Sequence, residues 1–316
     1  MQNTHHFDRR QFLQAGTVAV AAASISSGLF AEEKKNKKQE IIDAHSHIWT
    51  DDIAHHPLQN GQTVEDLKPR TFTPEELMAV ASPHGVTKVV LIQHNVYHGK
   101  DNSYITDTIQ KEPKKYSGVA CIDAAGKSPT KEMDRLRKLG IRGLRIRPGD
   151  GNVKKWRDSP GMHAMWKHGP KIGIAMCPLI NPEDLLEVNH FCEKYPDTTV
   201  VIDHFARIGI NGEIDSKDLK RLADLAKFPN TYVKVSAYYA LGKKQPPHDE
   251  LTPMIRVLYD AYGANRLMWA SDCPYQLTSP NTYGDSIALI QNRIDFLSAA
   301  DKDAILRKTA ETVFFS

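Results

Sequence analysis

Along this chain, short apolar runs rich in β-branched residues alternate with longer mixed stretches. The runs fall at residues 40–45, 87–93, 116–122, 140–147, 173–179, 198–204, 231–237 and 266–272. Many are near-continuously apolar, as strands buried on both faces are. Several of the segments between them open on a cap residue followed by proline, which suits the first helical position. Thr73-Pro74, Ser128-Pro129, Ser159-Pro160 and Asn181-Pro182 are examples, and Thr73 with Glu76 fits a capping box. Eight strand–helix units in one domain predict an α/β barrel of the (β/α)8 TIM type over residues 40–316. An open doubly wound sheet is the alternative, but no Gly-rich fingerprint follows the first run.

The alternation does not reach the start of the chain. Asp8-Arg9-Arg10-Gln11-Phe12-Leu13 is followed by an uncharged run from Ala15 to Phe30, rich in Ala, Val, Ser and Gly. Residues 1–31 therefore read as a twin-arginine export signal, with cleavage near Ala31, and residues 32–39 as a charged linker. A membrane anchor is the competing reading, but the run is short and only mildly apolar, against about 20 apolar residues for a spanning helix. The expectation is a protein handed to the twin-arginine machinery and exported to the periplasm or beyond, without stable membrane insertion. Such signals export folded proteins, so a cofactor can be loaded before export.

Composition adds little beyond exclusions. Hydrophobic residues make up 41% and charged residues 25% of the 316, which is ordinary for a globular protein. The net charge of +3 owes part of its excess to the Lys-rich linker and gives no argument for nucleic acid. Cys121, Cys177, Cys192 and Cys273 show no paired spacing and read as buried free thiols.

A barrel carries its active site at the C-terminal ends of its strands. The first run leads into Asp43-Ala44-His45-Ser46-His47, and alternation puts Asp43, His45 and His47 on one face. Later ends carry Gln93-His94-Asn95, Arg145 and Arg147, Cys177-Pro178, Asp203-His204 with Arg207, Lys234 and Ser236, and Ser271-Asp272-Cys273-Pro274-Tyr275. Ends this polar on strands this apolar are costly to bury without a purpose. With 14 His in the chain, the His-x-His pair alone is weak evidence, and the converging set carries the argument. The segment 48–72 is long for a βα loop, where about 2–6 residues is typical, and is a candidate lid.

These residues resemble the amidohydrolase superfamily, in its amidohydrolase-related branch of metal-dependent hydrolases. The motifs that carry the resemblance are Ile42-Asp43-Ala44-His45-Ser46-His47-Ile48-Trp49, Gly143-Leu144-Arg145-Ile146-Arg147-Pro148, Val201-Ile202-Asp203-His204 and Leu267-Met268-Trp269-Ala270-Ser271-Asp272-Cys273-Pro274. Within that branch the pattern is most similar to the sugar-lactone and 2-pyrone-4,6-dicarboxylate lactonases, the latter through His204 and Arg207. The resemblance implies a distorted barrel and hydrolysis of a lactone or related ester. It implies metal ligation by His45, His47, His204 and Asp272. Arg145 and Arg147 stand where binuclear relatives have a bridging Lys or Glu, and Cys177 stands where they have His. One divalent metal is therefore expected, zinc before manganese, with Cys177 or His204 as a further ligand; a metal-free mechanism is the alternative.

The residues suggest roles consistent with that. Asp272 suits a general base that takes a proton from attacking water, though an Asp there can also cap the following turn. His204, with His45 and His47, would polarise a carbonyl through a metal or directly. Arg145 and Arg147 share a strand face, where two guanidiniums call for an anion: a substrate carboxylate, with Arg207 as a second clamp, or internal acids such as Asp203 or Asp123. Trp49, Tyr238 and Tyr275 could wall the pocket or pack in the core. His55, His56, His163, His168, His190 and His248 are expected on the surface or in loops. The function this favours is hydrolysis of a carboxylated sugar-type or pyrone lactone. A metal-dependent decarboxylase on the same barrel and a non-catalytic binder of an acidic metabolite are the alternatives.

Overall fold

Eight parallel strands form one sheet in chain order: β1 (Ile41–His47), β2 (Val86–Ile92), β3 (Tyr116–Ala120), β4 (Ile141–Ile146), β5 (Ala175–Pro178), β6 (Val200–Ile202), β7 (Thr231–Ser236) and β8 (Leu267–Ala270). The computed structural model describes residues 40–148 and 153–316, which belong to the compact unit Lys38–Ser316. The expected export signal and charged linker lie outside the described residues. Among the described residues no helix is long and apolar enough to cross a membrane.

The sheet curls into a barrel that closes between β1 and β8. There the His47 amide donates to the Cys273 carbonyl and the Asp272 amide to the His45 carbonyl, each at 2.8 Å. Closure at this corner is what brings Asp272 beside the two histidines. The strands between are short, and β5 meets β6 through the single pair Met176–Val200, so the barrel is irregular. Helices lie outside it: α1 (Pro74–Ala81), α2 (Ser103–Lys111), α3 (Pro129–Lys138), α4 (Pro160–Ile172), α5 (Leu185–Lys194), α6 (Ser216–Asp224) and α7 (Thr252–Tyr262). α8 (Tyr283–Ala288), α9 (Ala299–Asp303) and α10 (Thr309–Phe314) follow β8.

The sequence signals act as their chemistry requires. The Glu76 amide donates to Thr73 Oγ1 at 3.2 Å and the Thr73 amide to Glu76 Oε2 at 2.6 Å, completing the capping box before α1. Ser159 Oγ accepts from the Met162 amide at the start of α4, which ends on Gly173 in the left-handed region. Asn181-Pro182 opens a single 3-10 turn that runs on into α5. Apolar residues sort into two layers. A large cluster fills the space between strands and helices. A small one, including Ile42, Val90, Cys177, Met268 and Phe314, fills the barrel interior, and α10 supplies Phe314 to it. All four cysteines are free and buried, as their spacing predicted.

One strand departs from expectation. The pairing of β1 with β2 slips between Asp43 and Ser46, so that three residues on β1 span two on β2. This bulge breaks the alternation. Asp43 and Ser46 then share one face, while His45 and His47 turn to the other.

Candidate active site

The functional side chains collect in a cavity of about 250 Å³ at the C-terminal ends of the strands. His47 reaches it from β1, His94 from the end of β2, Arg145 and Arg147 from β4, His204 and Arg207 from the end of β6, Tyr239 from the end of β7, and Asp272 and Tyr275 from the end of β8. His45 lies one layer below, fully buried. The rings of His45 and His204 are 4.4 Å apart, and those of His45 and His47 5.2 Å.

Two stretches of strained backbone aim these groups. His204, Phe205, Ala206 and Arg207 all have positive φ, at 50°, 53°, 53° and 60°. A left-handed turn without glycine costs on the order of 1–2 kcal/mol per residue. Complete burial of Phe205 and Ala206 holds it, and the turn lets both His204 and Arg207 face the cavity. Asp272 has φ of 61°, again left-handed.

Beneath the cavity runs a chain of buried charges. Lys234 Nζ lies 3.0 Å from Asp203 Oδ1, and Arg145 Nη2 lies 3.4 Å from Asp203 Oδ2. Burial alone would push the Asp203 carboxyl upward, but Lys234, His45 and Arg145 outweigh it and hold the group well below the usual carboxylate range. Arg145 Nη2 also donates to His45 Nε2 at 2.7 Å. A guanidinium only donates, so His45 accepts there through Nε2, while its Nδ1 faces Lys234 Nζ at 3.2 Å and Asp203 Oδ1 at 3.4 Å. Burial, with Lys234 and His204 nearby, holds His45 far below its ordinary value and therefore neutral.

Asp272 is treated differently. Burial opposes its charge, yet His204, His47 and His45 hold it well below the usual range, so it is a carboxylate. The Tyr239 hydroxyl donates to its Oδ2 at 2.7 Å. Its Oδ1 is buried and accepts no hydrogen bond. That oxygen lies 3.3 Å from His47 Nε2 and 3.4 Å from His45 Nε2. His47 Nδ1 is 3.0 Å from the Ile92 carbonyl and must donate to it, which in a neutral ring leaves Nε2 as a lone pair. Two acceptors facing each other call for a proton or a cation between them.

The donor set meets that call. One ligand atom each of His45, His204 and Asp272 lie within 4.8 Å of one another. Two imidazoles and a carboxylate suit a borderline divalent ion. The residues present therefore fit a single metal ion. Arg145 is the competitor, since it already uses the His45 lone pair that an ion would use. Cys177 takes no part: it packs in the barrel interior, where burial pushes its thiol up to about 12.

The other expected residues divide. Arg145, Arg147, Arg207 and Tyr275 line the cavity. Arg145 pairs with Asp203, the internal acid weighed as its alternative partner, yet its buried Nε has no hydrogen-bond partner. Arg207 reaches Asn181 Oδ1 at 3.4 Å. Trp49 is not brought to the cavity; it is fully buried, and its indole donates to the Pro69 carbonyl at 2.9 Å. Tyr238 is likewise a core residue, its hydroxyl bonded to the Val235 carbonyl. His248 lies in a loop but is completely buried. No residue of the long segment 48–72 lines this cavity.

Sequence reasoning gave no role to Lys234, Tyr239 or His94. Lys234 stands alone in the apolar run Thr231–Ser236, and its neighbours' alternation already pointed it inward. His94 pairs with the Tyr275 hydroxyl at 2.7 Å, and burial pushes it down to about 2. Nothing local in the sequence signals that partnership across 181 positions.

Comparison with known proteins places this geometry. The profile of the family described as amidohydrolase matches residues 42–315. The chain is 27% identical over 238 residues to L-fucono-1,5-lactonase of Burkholderia ambifaria, covering 74% of this chain and 80% of that protein. It is 26% identical over 216 residues to 4-sulfomuconolactone hydrolase of Rhizobium radiobacter, covering 65% and 69%. A solved amidohydrolase of Burkholderia multivorans superposes with a TM-score of 0.73 at 20% identity, covering 87% of this chain and 99% of that one.

Proposed function

The chain belongs to the amidohydrolase family, and on that premise we propose that it is a hydrolase that opens a lactone bearing a carboxylate. The relatives named above act on lactones. The observation that carries the reading is Asp272: a buried, ionised carboxylate with one oxygen free of hydrogen bonds, at a cavity edged by histidines. Such an oxygen can accept a proton from water within the cavity. Water adds to the ring carbonyl, and His204, with Nδ1 on the Ser236 hydroxyl and its ring proton on Nε2, stabilises the charge that develops on the carbonyl oxygen. The tetrahedral adduct then expels the ring oxygen, which takes up the proton held by Asp272. Tyr239 keeps the carboxylate turned toward the cavity through its bond to Oδ2.

Arg145 supplies the substrate's handle. Its Nη2 is anchored to His45 and Asp203, and together with Arg147 it lines the cavity, where the pair of guanidiniums suits a carboxylate. His45, His204 and Asp272, with His47 beside them, would hold a single divalent ion, zinc by the donor set. When bound, that ion supplies Lewis acidity to the carbonyl oxygen. Export by the twin-arginine route, on the strength of Arg9-Arg10 and the uncharged run after them, is part of the same proposal. Fractionation of cells expressing the parent and an Arg9→Lys/Arg10→Lys variant tests it; equal distribution of both would reject it.

The test of activity is a ring-opening assay on acidic and neutral lactones, with mass analysis of the product. Gain of one water is expected. Loss of carbon dioxide without ring opening would instead mark a decarboxylase, and ligand binding without turnover a non-catalytic binder. Arg145→Ala should raise KM for acidic lactones about tenfold or more, by removing a charge-assisted contact, and change neutral ones far less. Equal effects on both would reject the carboxylate handle. Metal content of the purified parent, measured beside a His45→Ala/His47→Ala variant, decides the metal.

A further inference from the structure

A second chamber opens off the first. It has a volume of about 480 Å³, nearly twice that of the catalytic cavity. The two share Asn95, Arg145 and Arg147 as common walls, so the arginine pair stands at the junction. The chamber belongs to the same barrel mouth, at the ends of β3 and β4 and against the first turns of α4. Its character differs. No imidazole lines it, and its deep walls are Cys121, Ile122, Trp156, Met162 and Met165.

The walls are built rather than loose. Asn102 Nδ2 donates to the Cys121 carbonyl, and the Cys121 amide to Asn102 Oδ1, both at 2.9 Å. Ser159 caps α4 through the Met162 amide, which sets Met162 and Met165 on one helix face. The start of α4 lies so close to the loop after β3 that a Cβ on Gly161 would sit 1.6 Å from the Ala124 carbonyl oxygen. On the other side Gln59, from the long segment after β1, donates to the Asn95 and Val96 carbonyls. This is the one place where that segment touches either chamber. The outer rim is polar, with Lys100 and Asp123 paired at 3.2 Å.

A bare acidic lactone needs the reaction chamber and the arginines, and leaves the larger chamber unused. Methionine and tryptophan walls suit a flat or branched apolar group, which they can contact closely at little cost in adjustment. We propose that this chamber is a substrate subsite for an apolar, phenyl-sized substituent, so that the preferred substrate carries three parts. Its lactone ring faces Asp272, its carboxylate sits on Arg145 and Arg147, and its apolar arm fills the space between Ile122 and Met165. The inference rests on the lactone-hydrolase reading for the ring, but the arm and the carboxylate can be tested without turnover.

Binding of succinate and phenylsuccinate to the full chain, by calorimetry, tests the arm. Phenylsuccinate should bind at least about tenfold more tightly, equivalent to about 1.4 kcal/mol. Met162→Trp, which fills the chamber, should erase that advantage and leave succinate binding intact. Ile122→Trp fills it from the opposite wall and serves if the first variant does not fold. Equal affinities in the parent, or an advantage that survives a folded filling variant, would overturn the subsite. Turnover of paraconate and phenylparaconate is then read separately. Binding as expected with neither lactone opened rejects the hydrolase reading and keeps the subsite. Both lactones opened at equal kcat/KM, with equal binding of the two acids, rejects the subsite and keeps the hydrolase.

Discussion

Two buried carboxylates stand on either side of the seam between β1 and β8, and they are kept in opposite ways. Asp43 accepts from the Ser271 amide at 2.9 Å, the His45 amide at 3.1 Å, and the hydroxyls of Ser46, Ser271 and Tyr283 at 2.7, 2.5 and 2.7 Å. All its donors are neutral, and burial raises its pKa. Asp272 is equally buried, yet one of its oxygens accepts nothing, and its neighbours are three imidazoles that hold it ionised. A saturated carboxylate has no capacity left for a substrate. An unsaturated one in the same seam is tolerated only because something else completes it in use. The first ties the barrel shut, and the second is the one we propose does the chemistry.

The sharpest way to break this contrast is to neutralise each in turn. Asp272→Asn keeps shape and tolerates the left-handed backbone, but cannot take a proton. Its kcat should fall by about 10²–10⁴-fold, the usual range for a lost general base, while the protein stays folded. Near-parental turnover would sink the assignment. Asp43→Ala should do the reverse. It strands five donors in the seam and should cost about 3 kcal/mol of stability, measured by urea titration, with little change in kcat for the folded fraction. If Asp43→Ala remained stable and lost activity, the two carboxylates would have to exchange roles.

How much of this contrast was legible beforehand depends on the kind of signal. The eight strands, the capped helices and the polar strand ends follow from local pattern, so residues 40–316 could be read as a barrel and His45, His47, His204 and Asp272 as its mouth. The division between Asp43 and the histidines could not. Alternation put all three on one face, and only the slip against β2, a property of the pairing rather than of the run, separates them. The left-handed turn at His204–Arg207 has no glycine to announce it. Lys234 was visible as a lone charge in an apolar strand. Its partner Asp203 lies 31 residues away, and no periodicity links them. Local chemistry could therefore be read, and cross-strand completion could not.

Acid sharpens the comparison with a smaller effect. Burial pushes His204 down to about 4 and His94 to about 2, from an ordinary value near 6.5. Between those values the unfolded chain binds protons that the fold refuses, so stability present above pH 6.5 is lost as pH falls. Asp203 and Asp272, held low, add a loss that begins near their unfolded value of 3.8. Asp43 has the opposite sign: its raised pKa gives a contribution present in acid and lost as pH rises through the folded value. The site should therefore loosen in acid while the Asp43 tie does not. The urea midpoint should drop between about pH 7 and about pH 4.5, and His94→Gln should narrow that drop. A flat midpoint would count against neutral, buried imidazoles.

The smallest expected effect concerns Trp49, two residues beyond His47 on the same run. It resembles the site residues in sequence and Asp43 in structure, because its polar atom is already satisfied by the Pro69 carbonyl. Its ring packs on His94, Tyr97 and Phe72 with centroids 4.6, 5.1 and 5.9 Å away, and its backbone pairs with Phe72 to pin the two ends of the long segment together. Trp49→Phe keeps an aromatic ring and removes one hydrogen bond, so it should cost about 1 kcal/mol of stability and leave KM unchanged. A raised KM with unchanged stability would mean that Trp49 reaches the substrate. The segment it anchors would then close over the mouth during turnover, and saturation in the resting structure would no longer separate the residues that hold the barrel from those that work in it.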